Sequence, residues 1–599
     1  MSFAMVPDIR ISDALTQQLS SLGLKPAVFH TSGRPWIFDS DTHAWSQRQI
    51  SSNAIIASPR PTEEILQSAR VSGNGFSSLD ALAREIGATS FFLASTPAGV
   101  RAQGTLSTQH QFFWAMVGGV PLASNTLTIL HSLIGPEIDQ VSLALSLMNS
   151  RPIQSFAPRT PWKSIAAAEI GSWLHFDGSA PPRSVRWWRE PAQDLDASSG
   201  PAAVRLALQQ TISDSTDGQS MISADLSGGL DSTSLCFLLD TLDKELRTFR
   251  TSSLNDANDE SRRARHVAEV FGLSLHEFPP LAETSSAFTL EHDEDPASVL
   301  QGPLVWAGSH GYLRALVPEV AAQGSATHFT GLGGDELFDM IPGIFRRLRR
   351  EGRRVALSAA WRLHAQSKSD PRSMFAAVFD QEAYQDYLTR ALDCLHGTGV
   401  WKARDAYNWF PPVSFPAWMS EQGRELILEA FAEVIDRGLE PLGTDPLGQQ
   451  VIESISFQGG ILRQFDEIFP DIHWQAPFTD QRVVEATLRS PASMRMDDRL
   501  DKSLLAAAVS DIAPAGFFTK RGRGDFTTDV YDEHRRQRAE LVREFQDSRL
   551  VDSGLVEPDM VKSALYEPSS SDVGLFDVES IVVAERWLRS AESLGSLAH

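Results

Sequence analysis

Short apolar segments separated by turn-forming residues dominate the first third of the chain. Strand-length apolar runs broken by Gly, Pro, Ser and Asn are typical of antiparallel strands. The runs between residues 91 and 124 are FFLAST, GVRAQGT, FFWAMV and GVPLAS. Gly118 and Gly119 have the composition of a tight hairpin turn. The pattern predicts a β-rich first domain over residues 1–190, closed by the pair Trp187-Trp188.

The pattern changes beyond about residue 199, where apolar runs alternate between helical and strand-like spacing. In order, the segments are a helix (AVRLALQQTI), a strand (MISADL), a helix (STSLCFLLDTLDKEL), a strand (LRTFRTSS), a helix (SRRARHVAEVFG) and a strand (LSLHEF). Gly272 is a helix stop signal. Such alternation predicts a parallel sheet with crossover helices, whose ligands bind beyond the carboxyl ends of the strands.

The remaining pattern completes the predicted domain organisation. PAQDLDASSGPA is polar and rich in Pro, Gly and Ser, so we place a linker at residues 191–200. A second domain then spans residues 201–599 and is mostly helical from about residue 340. The basic run from Phe345 to Arg354 is expected to be a solvated helix face. Cys236 is expected to be a small buried core residue.

The amino-acid composition of the chain disfavours several classes of function. The chain has 599 residues, with 53 Lys plus Arg against 76 Asp plus Glu, a formal charge of −23. Nucleic-acid binding depends on basic side chains that neutralise phosphates, so this surface disfavours it. We find no apolar run of membrane-spanning length and no leader pattern. Two cysteines cannot form a disulfide framework or a CxxC metal site. The expectation is a cytoplasmic enzyme with no membrane partner.

One segment has the residues of an anion site at the end of a buried strand. Two glycines allow a tight turn and close approach of a ligand, and the following helix start presents amide N–H groups. Hydroxyl groups add donors, whereas the acidic residue Asp231 suits Mg²⁺ held together with phosphate oxygens. Taken alone, the glycines would also fit a simple helix-capping turn. The candidate cofactor-binding residues are Leu226, Ser227, Gly228, Gly229, Leu230, Asp231, Ser232 and Thr233.

A second acidic turn follows the probable strand end THFTGL. It contains Asp335, whose position fits an N-cap on a helix that begins at Glu336. The further candidate cofactor-binding residues are Thr251, Ser252, Gly331, Gly333 and Gly334.

These motifs resemble known families. SGGLDST resembles the PP-loop signature, and GLGGDELF resembles the GxGxDELF element of asparagine synthetases. QAPFTDQRVV and DKSLLAAAVSDIAP resemble further elements of that family, in the same order. The resemblance implies that ATP is split between its α and β phosphates. It also implies that Asp231 and Asp335 share magnesium.

Within this family, the first domain is similar to that of lasso peptide cyclases. His30-Thr31-Ser32-Gly33-Arg34-Pro35-Trp36 resembles their HASGRPW element, and WKSIAAAEIGSWLHFDG resembles their first-domain ending. Glutamine-dependent asparagine synthetases need a cysteine at the N-terminus, but neither cysteine of this chain lies near its start. Ser2 is a weak substitute for that nucleophile. The resemblance implies an Ntn-type, glutaminase-like β-sandwich that lacks the nucleophile, followed by a PP-loop α/β domain with a parallel sheet and a helical C-terminal part.

The same resemblance implies the reaction and its partners. A peptide Asp or Glu side chain would be adenylated with MgATP and attacked by the peptide α-amine, which forms an isopeptide bond. The precursor peptide would be the substrate, and a leader-binding protein and a leader peptidase would be partners. In the family's RxxKGxF signature a lysine has a catalytic role. Arg523 occupies that position here, with Lys520 as the alternative.

Four other hypotheses stay open or are disfavoured. A β-lactam-type synthetase has a tyrosine three residues before the second magnesium ligand, where this chain has Leu332. Another small-molecule intramolecular amide synthetase is a further alternative. An inactive scaffold is a non-enzymatic alternative, against which the intact PP-loop argues. A PP-loop enzyme that modifies tRNA is disfavoured by the acidic charge.

Overall fold

The computed structural model describes residues 2–59, 63–68, 75–148, 153–252, 259–280, 296–367, 370–497, 499–519, 527–566 and 572–597. The chain forms two compact units, one built mainly from residues before Arg189 and one mainly from residues after Glu190. Within the described ranges, no helix is long and apolar enough to cross a membrane.

The first unit contains the strands β1 (Phe3–Met5), β2 (Lys25–Phe29), β3 (Pro35–Asp39), β4 (Trp45–Ser51), β5 (Ala54–Pro59), β6 (Phe92–Thr96), β7 (Gly99–Gln103), β8 (Phe113–Val117), β9 (Val120–Ser124), β10 (Ala166–Ala167), β11 (Ser172–Phe176) and β12 (Arg183–Arg186). The helices described before residue 190 are α1 (Asp13–Ser21), α2 (Glu63–Ser68), α3 (Asp80–Ile86), α4 (Leu127–Ile134), α5 (Gln140–Ser146) and α6 (Ile153–Phe156).

These strands form two antiparallel sheets, in the orders β10-β8-β9-β1-β3-β2 and β12-β11-β7-β6-β5-β4. Apolar side chains from both sheets form one core, which includes Phe3, Trp36, Leu93 and Leu174. Phe3 packs edge to face on Trp45 of the other sheet, with ring centroids 4.8 Å apart. The predicted β-rich first domain is therefore confirmed as a β-sandwich.

One local prediction in this unit is also confirmed. The hairpin between β8 and β9 turns at Gly118 and Gly119, and both have positive φ. The SGRPW segment is a turn at Gly33 that leads into β3. Trp36 is fully buried, and Arg34 forms an ion pair with Asp8 at 3.0 Å. These contacts give the segment a packing role.

The second unit is built on a parallel sheet. Its strands are β13 (Met221–Asp225), β14 (Glu245–Thr251), β15 (Ser274–Phe278), β16 (Thr327–Phe329) and β17 (His473–Gln475). In the described chain the order is β15-β14-β13-β16-β17, with every pairing parallel. The predicted parallel sheet is therefore confirmed, although β17 was not predicted. The direction of strand succession reverses at β13, the place where open α/β sheets bind ligands.

Helices surround this sheet and fill the C-terminal part, as the sequence predicts. They are α7 (Ser199–Thr216), α8 (Leu230–Asp240), α9 (Glu260–Phe271), α10 (Pro296–Leu300), α11 (His310–Ala322), α12 (Gly334–Phe338), α13 (Phe345–Glu351), α14 (Arg353–Ser367), α15 (Pro371–Phe379), α16 (Tyr384–Leu395), α17 (Glu421–Asp436), α18 (Pro446–Ile468), α19 (Gln481–Arg489), α20 (Ser503–Ala508), α21 (Thr527–Glu544), α22 (Arg549–Asp552), α23 (Pro558–Tyr566) and α24 (Asp572–Leu597).

One helix boundary differs from the prediction. The segment STSLCFLLDTLDKEL was expected to be helical throughout, but α8 ends at Asp240 and Glu245 begins β14. Glu245 pairs with Met221 of β13, so sheet pairing overrides local helix propensity at this point. The expected burial of Cys236 within α8 is confirmed, because its side chain is fully buried.

For the basic run from Phe345 to Arg354, the prediction of a solvated helix face is wrong. Its arginines were expected on a solvated face, yet Arg347 is 4% exposed and contacts two buried carboxylates. Its Nε and Nη2 atoms donate to Asp445 at 3.0 and 2.9 Å, and Nη2 also pairs with Glu190. Burial alone would lower the pKa of Arg347, but the two carboxylates outweigh it and raise that pKa.

We expect Arg347→Ala to destabilise the protein by about 3–5 kcal/mol, because it leaves buried Glu190 without a cation and buried Asp445 with Arg350 as its remaining ion-pair partner in the described structure. Urea denaturation of the two variants against wild type measures the effect. Arg354→Ala is the matched control, since Arg354 is exposed on α14 and its loss should change stability by about 0.5 kcal/mol or less. Equal urea midpoints for the two variants would contradict a buried ion network.

Candidate active site at the carboxyl end of the parallel sheet

The glycine turn lies directly after the central strand β13. Gly228 has a φ of +90°, and a Cβ atom there would overlap the backbone carbonyl of Glu260, so the turn requires glycine. The Ser227 hydroxyl accepts from the Gly229 amide at 3.1 Å and lies 2.8 Å from the Ser232 hydroxyl. The helix α8 then begins at Leu230. The structure therefore shows the strand, glycine turn and helix start that the sequence predicts, an arrangement suited to an anion.

The second acidic turn packs against the first. A Cβ atom on Gly334 would overlap the carboxyl group of Asp231, so only glycine allows this approach. Asp335, the next residue, contacts the same ammonium group as Asp231. The structure thus brings together the two carboxylates that the sequence selects as metal ligands.

The shared ammonium group belongs to Lys502, which the sequence reading did not select. Its Nζ donates to Asp231 and, at 2.6 Å, to Asp335 Oδ1. Lys502 is 6% exposed and has a φ of +49°, one of the few non-glycine residues in the left-handed region. Strained backbone of this kind concentrates at functional sites. The available signal is the segment DKSLLAAAVSDIAP, which resembles a family element and contains this lysine.

Burial and the neighbouring opposite charge shift the pKa values of Asp231 and Lys502 in opposite directions. Burial raises the pKa of Asp231 to about 7, and Asp335 adds to that shift, whereas Lys502 opposes it. Burial would lower the pKa of Lys502, but Asp231, Asp339 and Asp335 outweigh it and raise that pKa. The Oδ1 atom of Asp231 is buried and has no hydrogen-bond partner in the described structure. A buried acceptor without a donor suits an additional cation.

Asp231 and Asp335 line a cavity of about 380 Å³, within the usual size range of small-molecule sites. The residues of the sequence prediction that line it are Ser227, Gly229, Asp231, Ser232, Thr251, Gly331, Gly333 and Asp335. Those that do not are Leu226, Gly228, Leu230, Thr233, Ser252 and Gly334. Thr233 is fully buried, so its hydroxyl points into the protein. The candidate catalytic residues Lys520 and Arg523 lie outside the described residues.

The cavity also contains residues that the sequence reading did not use. Asp225 ends β13, and its Oδ1 accepts from the Tyr312 hydroxyl at 3.2 Å and lies 3.2 Å from His328 Nε2. Burial, with Asp225 adding to it, raises the pKa of Tyr312 well above its usual value, so the hydroxyl stays protonated. Leu332 lines the cavity as well. No local motif marks Tyr312 or His328, whereas Asp225 stands two residues before the turn.

The residues present fit magnesium bound together with a phosphate ligand. Among the residues that the structure describes, no cluster of three or more His, Cys, Asp or Glu could hold a metal alone. Magnesium is commonly held by one or two carboxylates, with water and substrate phosphates completing its shell. Asp231 and Asp335 supply two such carboxylates, and Oδ1 of Asp231 is unpartnered.

A glycine turn follows the central strand of the parallel sheet and lies beside a second acidic turn, the arrangement expected from the resemblance to PP-loop enzymes. The model of the asparagine synthase family matches residues 203–589, more than half of the sequence, so the chain belongs to this family. The search of curated proteins finds no match. Family membership implies an ATP-dependent amide-forming ligase, on a mixed α/β fold with an N-terminal antiparallel part.

Proposed function

We propose that this protein closes a macrolactam ring in a peptide, as lasso peptide cyclases do. In the proposed reaction, ATP activates an Asp or Glu side chain, and the peptide α-amine then forms the isopeptide bond. The observation that carries the proposal is the cavity at the end of β13, where the glycine turn, Asp231 and Asp335 meet. This arrangement supports phosphate activation of a carboxylate.

The proposed reaction has two balanced steps. An oxygen of the substrate carboxylate attacks the α-phosphorus of ATP, and the bond to the leaving pyrophosphate breaks. The amine nitrogen then attacks the acyl carbon of the acyl-adenylate, the amine loses a proton, and AMP leaves. The peptide product is lighter than the substrate by one water molecule.

The chain's own residues bind and orient the reactants in this scheme. The hydroxyls of Ser227 and Ser232 and the amide groups at the start of α8 would donate to phosphate oxygens. Asp231 and Asp335 would hold magnesium, which supplies charge neutralisation at the phosphates when bound. Lys502 lies between the two carboxylates and would neutralise part of their charge before the metal binds.

A dedicated strong base is not required for the second step. The pKa of a peptide α-amine is roughly 7.7–8.0, so a useful fraction of the nucleophile is unprotonated at neutral pH. The larger barrier is entropic, because the threaded peptide must be held with its amine near the acyl carbon. Arg523, or Lys520 in its place, would stabilise the charge that develops at the acyl centre.

The choice of a peptide substrate is supported by resemblance in the first unit. The segment from His30 to Trp36 and the ending WKSIAAAEIGSWLHFDG are similar to those of lasso cyclases. Leu332 lines the cavity where the β-lactam branch has a tyrosine, and its side chain cannot transfer a proton. We also expect a leader-binding protein and a leader peptidase as partners in the cytoplasm. A small-molecule amide synthetase is the second candidate, because the same cavity would serve it.

The test is to incubate the protein with its precursor peptide, the leader peptidase and MgATP. We expect a peptide one water lighter, together with AMP and pyrophosphate, because activation occurs at the α-phosphorus. Acetylation of the core N-terminus should stop ring closure but allow adenylation. Replacing the ring-forming Asp or Glu by its amide should stop both steps.

Three outcomes of the same assay decide between the alternatives. ADP and phosphate as products would exclude adenylation. AMP formed with a dehydrated small amino acid, and no action on any peptide, would favour the lactam synthetase. Absence of nucleotide turnover with every substrate would favour a scaffold.

A further inference from the structure

A carboxylate that the proposed reaction does not use lies on the wall of the same cavity. Asp225 is the last residue of β13, and its side chain is 25% exposed. Its contacts with Tyr312 and His328 both use Oδ1, which leaves Oδ2 available to a ligand in the cavity. A carboxylate is an acceptor only, so the ligand group beside it must be a hydrogen-bond donor.

Buried neighbours hold this carboxylate in one orientation. His328 is fully buried, and its Nδ1 lies 3.0 Å from the Ser223 hydroxyl. The Ser223 hydroxyl in turn donates to the backbone carbonyl of Thr327 at 3.0 Å. With contacts on both nitrogens the imidazole cannot rotate, and Tyr312 fixes the carboxylate from the side of α11. Asp225 is thus a pre-oriented acceptor, the kind of group that confers ligand specificity.

The chemistry of the cavity restricts what Asp225 can accept from. Phosphates are repelled by a carboxylate, and the proposed donors to them are the hydroxyls of Ser227 and Ser232, which line the same cavity. Asp225 stands two residues before Ser227, so a donor beside it lies close to the turn proposed to hold the phosphates. The ribose hydroxyls and the adenine amino group of the same nucleotide are neutral donors of this kind.

We propose that Asp225, positioned by Tyr312 and His328, accepts a hydrogen bond from the nucleoside part of ATP and sets the preference of the enzyme among nucleotides. The donor is either a ribose hydroxyl or the 6-amino group of adenine. This inference rests on the proposed use of ATP, and it adds the residue that selects the nucleotide.

The test is equilibrium binding of ATP, 2′-deoxy-ATP, 3′-deoxy-ATP and ITP to the full chain, with Mg²⁺, by titration calorimetry. We expect wild type to bind one of the three analogues at least about tenfold more weakly than ATP, as for a hydrogen bond to a charged group. Asp225→Ala should bind ATP and that analogue equally. The discriminated analogue identifies the donor.

Two further variants complete the design. Tyr312→Phe deletes one oxygen and should reduce the discrimination several-fold, and it carries the test if Asp225→Ala fails to fold. Asp240→Asn is the matched control, because Asp240 is exposed at the end of α8 and should keep the wild-type pattern.

The possible failures are distinguishable. The assignment would be overturned if Asp225→Ala or Tyr312→Phe discriminated between the nucleotides as strongly as wild type does. It would also be overturned if wild type bound all four nucleotides equally. Both results would leave ATP use intact. Weaker peptide binding with unchanged nucleotide discrimination would instead place a substrate ammonium at Asp225. Failure of wild type to bind any nucleotide would reject the proposed function itself.

Discussion

Asp231→Asn should lower the rate of pyrophosphate release on the order of 10³-fold or more, without unfolding the protein. The substitution keeps the side-chain shape beside Gly334 but removes the charge with which a carboxylate holds magnesium. Because burial already disfavours the ionised form and raises the pKa of Asp231 to about 7, a neutral side chain should cost little stability. Asp335→Asn should have a similar effect on turnover, and its side chain is 66% exposed.

The measurement is substrate-dependent pyrophosphate release at saturating magnesium, with thermal denaturation as the check on folding. Asp240→Asn is the matched control on the same helix, since its side chain is exposed away from the cavity. Near-normal release by either Asp231→Asn or Asp335→Asn would overturn the assignment of the metal ligands.

Lys502→Met should slow turnover about 10²-fold and should make the protein more responsive to magnesium. Methionine keeps most of the side-chain volume but removes the ammonium between Asp231 and Asp335. Two carboxylates without a cation repel each other, so magnesium should raise the melting temperature of the variant more than that of wild type.

Melting curves with and without magnesium, together with the rate of AMP formation, measure both effects. Lys562→Ala is the control, because Lys562 is exposed on α23 and its removal should leave both quantities unchanged. A magnesium-dependent shift in Lys502→Met equal to that of wild type would mean that the lysine does not neutralise the pair.

The predicted features of the second unit depend on residues that are close in sequence. MISADL, the turn at Ser227–Gly229 and the start of α8 are contiguous, so strand, turn and helix signals together predict an anion site. The same local logic predicts the hairpin at Gly118 and Gly119. The position of Asp335 beside Asp231 came from family resemblance, since no periodicity relates residues so far apart.

The features that were missed depend on tertiary contacts. Lys502 meets Asp231 across 271 positions of sequence, and nothing in its own segment predicts that partner. The arginines of α13 have the composition of a solvated face, and only the folded chain brings Glu190 and Asp445 to Arg347. The strand β17 is three residues long and is defined by its pairing with β16, so no hydrophobic run in the sequence predicts it.

The ion network around Arg347 determines where a truncated form of this chain can begin. Glu190 accepts hydrogen bonds from the backbone amide and the hydroxyl of Thr444, in addition to its pair with Arg347. Further along, the Leu195 amide donates to the carbonyl of Arg489 at 3.1 Å. A recombinant fragment that starts at α7 would lose these residues and would leave Thr444 and Arg347 short of a carboxylate. Expression of the catalytic part alone therefore requires a start at or before Glu190.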